Sequence, residues 1–388
     1  MHKANFSGTP RWGAVSFSIG TKAYVGLGND NNNKNDFWAW DEGTNGWSAI
    51  APFPGDARFQ AVAFSIGNKG YVGTGASGLN FPYTPYYSDF WEYNPASNQW
   101  NQIASLPGAA RFGAVAFSVG NKGYVGTGLD SLGSFLSDFW EYDPALNQWT
   151  QRSSLPATNR MDAVGFSIGT KGYIGTGGNY SSNIVLLNDL WQYNPDNDQW
   201  IQKADFAGTN RSNAVGFSAA GKGYIGQGGN YLSPAYSDFW EYDTLSNQWN
   251  QVTAFTTTGR WLTTGFSVGN KGYVSTGASS TVLYKDLWEF NPSITGGTEI
   301  SANGITLSHY PNPVADKIII QCHLKQAGIV EIEIRNAMGQ IVAAVNEGNR
   351  SPGVFSVNLD CSQLSNGIYY YTLKTGADAY TNKMVVCR

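Results

Sequence analysis

The chain has 388 residues, a formal net charge of −4, only 13% charged side chains, 14% aromatic ones and 47 glycines. Low charge with many aromatics and glycines points to short strands and tight turns rather than helices. The acidic balance argues against nucleic acid and anionic membrane as partners, and no apolar run approaches the roughly 18 residues of a transmembrane segment.

From the N-terminus, MHKANFSGTPRW lacks the apolar stretch of an export leader. An arginine then opens a recurring phrase at Arg11, Arg58, Arg111, Arg160, Arg211 and Arg260, at spacings of 47 to 53 residues. In the third unit the phrase reads AVAFSV, a GNK turn, then GYVGTG; a loop of variable length follows, then DFWEY, an Asn-bearing turn and a segment opening with Trp. These are four short strands per unit. One such sheet cannot cover both its faces, so the repeat predicts radially stacked blades, a β-propeller. In the first strand Val115, Phe117 and Val119 alternate with Ala114, Ala116 and Ser118, which lets neighbouring sheets interdigitate. The glycines of GYVGTG suit positive φ or close backbone approach.

The outer-strand tryptophan occurs five times, at Trp47, Trp100, Trp149, Trp200 and Trp249, and the sixth unit stops at Pro292. Residues 3–11 (KANFSGTPR) match 203–211 (KADFAGTNR), the stretch that joins an outer strand to the next blade. The first residues are therefore expected to supply the missing strand and close a six-bladed ring over residues 1–292.

Tyr124-Val125 followed by glycine, and the Tyr-to-Trp spacings Tyr93–Trp100 and Tyr142–Trp149, resemble the kelch repeat family. The pattern departs from that family in reading Gly-Thr-Gly, with paired glycines only at 177–178 and 228–229. Strand parity puts the variable loops and the blade-to-blade connections on one face, the candidate for function. There, Tyr83, Tyr86 and Tyr87, with Phe81, Phe135, Tyr180, Tyr231 and Tyr236, suit sugar rings or peptides, or else order the loops by packing. The six arginines have two readings. By resemblance to some kelch propellers they grip acidic partners at the channel mouth. Alternatively they pair with the equally regular Asp36, Asp89, Asp138, Asp189, Asp238 and Asp286. Just after the arginines stand Trp261, Trp12, Phe59 and Phe112, an aromatic arc over four consecutive blades and a further ligand-facing candidate.

No histidine lies between residues 3 and 308, so neither a galactose-oxidase-like copper site nor a Ser–His triad can be assembled in the propeller. The oxygen-rich stretch Asn29–Asp36 contains Lys34 and reads as a solvated turn rather than a Ca²⁺ loop. No cofactor or metal is expected. The first expectation is a non-catalytic propeller that binds a glycan or protein. The alternative is a sugar-modifying enzyme, like the six-bladed kelch sialic acid mutarotases, with Asp162 as acid or base.

After a linker at 293–304 (SITGGTEISANG), tryptophan disappears and Cys322, Cys361 and Cys387 are introduced. About seven short strands over 305–388 predict an immunoglobulin-like sandwich. Tyr310-Pro311-Asn312-Pro313, Ala337-Met338-Gly339-Gln340, Leu364-Ser365-Asn366-Gly367-Ile368-Tyr369 and Lys383-Met384-Val385-Val386 resemble, in this order, the type A C-terminal sorting domain of the type IX secretion system. That resemblance implies the secretion machinery as a partner, a leader outside these residues, removal of the tail, and a secreted or outer-membrane-surface location.

Overall fold

The alternation of large and small side chains in the Arg-led phrase folds as an antiparallel hairpin. Val115–Val119 pairs with Lys122–Gly126, which pairs with Phe139–Asp143, which pairs with Gln148–Arg152. Four other blades repeat this order from innermost to outermost strand. In the computed structural model, which describes residues 1–78, 85–181, 183–230, 234–252, 254, 256, 258–292, 300–302, 305–310, 314, 317–324, 326–376 and 378–386, the chain divides into units Met1–Asn291 and Pro292–Arg388. The fold is all-β.

The sixth sheet closes the propeller. Its outermost strand is His2–Lys3, in register with Trp288 and Leu287. Lys3 Nζ reaches Glu289 Oε2 at 2.8 Å, and Phe6, fully buried, donates its N–H to the Lys285 carbonyl at 2.7 Å. Ser16 and Thr264 hydroxyls, 2.6 Å apart, join the innermost strands of the first and last blades.

Blade faces meet as aromatic knobs over glycines. A Cβ on Gly70, Gly123, Gly172, Gly223 or Gly272 would lie 2.0–2.3 Å from the phenylalanine of the preceding blade, respectively Phe17, Phe64, Phe117, Phe166 and Phe217. At these five positions a side chain would displace that ring. At the closure Ala23 takes the glycine's position, in one core cluster with Phe266. Outer-strand tryptophans tie five of the six blades to their predecessors: Trp149 Nε1 donates to the Ala104 carbonyl at 2.8 Å, and Trp100 Nε1 to that of Ala51 at 2.9 Å.

Positive φ in the Gly-Thr-Gly phrase falls on its middle residue as well as on its last. Thr127 has φ 60°, Gly128 φ 103°. The first glycine, Gly126, is needed for close approach instead, because a Cβ there would stand 2.7 Å from Phe139. A fully buried threonine in the left-handed region is uncommon, and its use here becomes clear at the arginine.

The second unit carries two four-stranded antiparallel sheets. One orders Ile300–Ala302, Ile305–Tyr310, Lys317–Leu324 and Gly353–Asp360; the other orders Ile341–Arg350, Gly328–Asn336, Gly367–Thr375 and Asp378–Val386. Their inward side chains form one core that includes Ile318, Ile320, Ile332, Ile334, Tyr371 and Met384. The sheets make a β-sandwich; seven of its described strands lie within 305–388, as expected, and an eighth, Ile300–Ala302, lies in the stretch read as linker.

Candidate functional site

Each repeat arginine is buried and paired with an aspartate of its own blade. Arg111 is fully buried. Its Nη1 donates to Asp138 Oδ1 at 2.5 Å and to the Thr127 carbonyl at 3.1 Å. Nη2 donates to Asp138 Oδ2 at 2.7 Å, and Nε to the Ala109 carbonyl at 2.9 Å. The Trp140 indole N–H donates to the same Oδ2 at 2.7 Å. The left-handed Thr127 turns its carbonyl toward this guanidinium. Arg11, Arg58, Arg160, Arg211 and Arg260 repeat the bidentate pairing with Asp36, Asp89, Asp189, Asp238 and Asp286. The reading of these arginines as partner-gripping groups is thereby corrected: their donors face carboxylates and carbonyls within the blade.

The loop tyrosines brace the same groups. Tyr87 stacks on the Arg58 guanidinium with 3.8 Å to the ring centroid, Tyr236 on Arg211 at 4.6 Å and Tyr284 on Arg260 at 3.9 Å. The aromatic arc is packed as well. Trp12 meets Phe59 edge-on at 4.7 Å, and Tyr86 meets Phe112 at 4.9 Å. Phe59 and Phe112 are buried in a cluster with Met161, Leu129 and Tyr180. Trp261 is half-buried, its Nε1 sealed from solvent. As a continuous ligand platform the arc is corrected to a hydrophobic layer beneath the loops. Tyr83 and Phe81 lie outside the described residues, as do Tyr231 and Pro311, Asn312 and Pro313 of the tail. In the stretch 29–36, Asn29 Nδ2 donates to Asn33 Oδ1 at 2.7 Å and Lys34 pairs with Asp30 at 2.8 Å, the contacts of a self-contained turn.

One residue further along, the chain reaches the channel axis. Gly13, Gln60, Gly113, Asp162, Asn213 and Leu262 all have positive φ, from 48° to 63°. They form a closed circle of backbone hydrogen bonds, each N–H donating to the carbonyl of its counterpart in the preceding blade, at 2.8–3.2 Å. Glycine adopts this conformation freely; Gln, Asp, Asn and Leu adopt it at a cost of about 1–2 kcal/mol each. Strained residues gathered at one place are a pointer to function. Here they put four side chains into the mouth.

Two of those side chains meet. Gln60 Nε2 donates to Asp162 Oδ1 at 2.6 Å, across 102 residues of sequence. Asp162 is 7% exposed and Asn213 5%. The carboxylate leans over Gly113, where a Cβ would come within 2.8 Å of Oδ1. The ring and the following residues, including Ala163 and Thr263, line a cavity of about 140 Å³. Among the described residues Asp162 is the one ionisable residue lining it. Further along the innermost strands the channel is lined by serines, phenylalanines, alanines and glycines, without an ionisable side chain.

Sequence reasoning found Asp162 and missed Gln60, Asn213 and Leu262. Their signal was positional: glycine stands at this repeat position in Gly13 and Gly113, which marks it as left-handed, and polar replacements there stand out against it.

In the tail, Gly339 (φ 80°) sits in a turn held by Asn336, whose Oδ1 accepts the N–H groups of Met338 and Gln340, both at 3.0 Å. Gly367 opens a strand, and Tyr369 is buried with its hydroxyl donating to the Ser365 carbonyl at 3.0 Å. Lys383 points to solvent between buried neighbours, Met384 and Val386 are core, and Val385 accepts the Val314 N–H at 2.7 Å.

Residues 308–387 match the family model of the secretion system C-terminal sorting domain. Residues 11–143 match that of N-acetylneuraminate epimerase. Among solved structures, the one titled "Structure of YjhT" superposes with a TM-score of 0.62 at 16% identity, covering 74% of this chain and 95% of that one, a likeness of fold. No curated protein matches the chain. The epimerase match overturns the expectation of a propeller without catalysis, since that family is one of enzymes. That expectation rests on the absence of histidine between residues 3 and 308, and of a distinctive carboxylate pair. No helix among the described residues is long and apolar enough to cross a membrane, and the sorting domain marks an exported, secreted or surface-exposed protein. The chain is a kelch-like β-propeller, matched over residues 11–143 by the N-acetylneuraminate epimerase model, fused to a type IX secretion system C-terminal sorting domain.

Proposed function

We propose that the propeller interconverts the anomers of a sugar in the cavity at the channel mouth, with Asp162 as the proton-transferring group. The observation that carries this reading is the Gln60–Asp162 hydrogen bond, which fixes the cavity's one carboxylate. Anomer exchange is chemically undemanding. A base takes the proton of the anomeric hydroxyl, the bond from the anomeric carbon to the ring oxygen breaks, and the ring oxygen gains a proton from solvent. The open-chain carbonyl compound turns about the adjacent bond, and the steps reverse on the other face. Protons balance, and neither redox chemistry nor a covalent intermediate is required. One positioned acid–base group supplies roughly 10²–10⁴-fold in such a reaction. Asn213 and Thr263 add hydrogen-bonding groups around the ring, and Leu262 and the alanines supply an apolar wall.

The supporting relatives are the epimerase family model over residues 11–143 and the matching fold. Two-dimensional exchange NMR tests the proposal on the full chain. Accelerated exchange between anomer signals of at least one sugar supports it, and exchange at the uncatalysed rate for a panel of acidic and neutral sugars refutes it.

A further inference from the structure

We infer that the site takes an uncharged sugar rather than a carboxylated one, an inference that rests on the anomer-exchange reading above. Recognition of a sugar carboxylate calls for a guanidinium, an ammonium or an array of N–H donors aimed at it. The propeller's cations are committed elsewhere. All six repeat arginines are chelated by aspartates and buried.

The remaining cations tell the same story. Lysines at the hairpin turns, on the opposite face, pair with Asp41, Glu92, Asp143, Asp196, Glu241 and Glu42. Lys3, Lys34 and Arg152 pair with Glu289, Asp30 and Glu141. Among the described propeller residues that leaves Lys203 and Lys285 without an ion pair, and neither lines the cavity. The propeller residues outside the described set include no lysine or arginine in sequence.

The cavity itself presents the Asp162 carboxylate, two amides, a hydroxyl and aliphatic carbon. This is a set that hydrogen-bonds sugar hydroxyls and repels an anion. The backbone N–H groups of the mouth ring cannot compensate, because each is already donated to the preceding blade's carbonyl. Two like charges held within several ångströms in a partly desolvated site disfavour binding by about tenfold or more.

The test compares N-acetylneuraminate with its methyl ester, which keeps the ring and removes the charge, alongside glucose, galactose and N-acetylglucosamine. Exchange NMR with the full chain at low salt reads the anomer-exchange efficiency for each. The expected result is that the ester and at least one neutral sugar exceed the free acid by about tenfold or more, with the gap narrowing at high salt. Leu262→Lys, which adds a cation to the mouth ring, should close the gap between acid and ester, and Leu262→Gln should not. Exchange of the acid as fast as the ester overturns the inference while leaving the anomer-exchange reading standing. Exchange of no sugar at all removes that reading, and this inference with it.

Discussion

Arg111 and Asp138 face each other through two parallel hydrogen bonds of 2.5 and 2.7 Å, with the arginine fully buried and the aspartate side chain 22% exposed. The pair joins the entry of a blade to the start of its third strand. Removing one partner leaves the other's charge desolvated without compensation. Asp138→Asn should therefore lower stability by about 3–5 kcal/mol, read as a shift in the urea midpoint. A ligand-gripping arginine would predict a small change in stability and a large one in binding.

The same carboxylates set the acid limit of the propeller. At Asp36, Asp138, Asp238 and Asp286 burial pushes the pKa up, but hydrogen bonds from arginine and tryptophan, with the guanidinium charge, outweigh it and hold the net value below the ordinary aspartate range. Their contribution is complete above the unfolded-state value of about 3.9 and is lost as pH falls through the lower folded values. Because all 14 tryptophans precede residue 293, tryptophan fluorescence should report an intact propeller down to about pH 4 and unfolding below it.

The tail should weaken at milder acidity. His309 is fully buried, its Nδ1 lies 2.9 Å from the Tyr371 hydroxyl, and burial lowers its pKa to about 4. Unfolded, it would titrate near 6.5. The stability of the neutral ring is present above about pH 6.5 and is lost progressively toward pH 4, up to about 3 kcal/mol in all. Amide exchange in strands Ile305–Tyr310 and Gly367–Thr375 should accelerate over that interval, and His309→Gln should flatten the dependence.

Blade contacts give a volume test. A Cβ at Gly123 would sit 2.2 Å from Phe64 Cε2, so Gly123→Ala must push the ring off the sheet, at a cost of about 1–3 kcal/mol. Gly123→Ala combined with Phe64→Leu should recover part of that loss in the same thermal denaturation assay. Additive losses would show that the ring and the glycine do not share one space.

The architecture was legible because it is written six times. Period, strand count and the closing role of the N-terminal residues all follow from Arg11-type and Trp100-type positions recurring in register. What the repeat obscured was side-chain direction. A recurring arginine followed by aromatics reads equally as a lined mouth or as buried bracing, and only the distances at Arg111, Tyr87 and Phe59 decide it. The left-handed Thr127 was hidden because its neighbours are glycines that draw the eye. Asp162 was visible as a lone carboxylate, but Gln60 was not, since 102 residues separate a pair that only ring closure brings together.

The central claim is that Asp162 transfers the proton, and Asp162→Asn tests it most directly. Asparagine keeps the shape and tolerates the positive φ of 54°, so the fold should survive with an unchanged melting temperature. Exchange NMR on a sugar turned over by the unmutated chain should then show a loss of about a hundredfold or more for Asp162→Asn, and a smaller loss for Gln60→Ala. Full exchange activity in a folded Asp162→Asn chain would contradict the account.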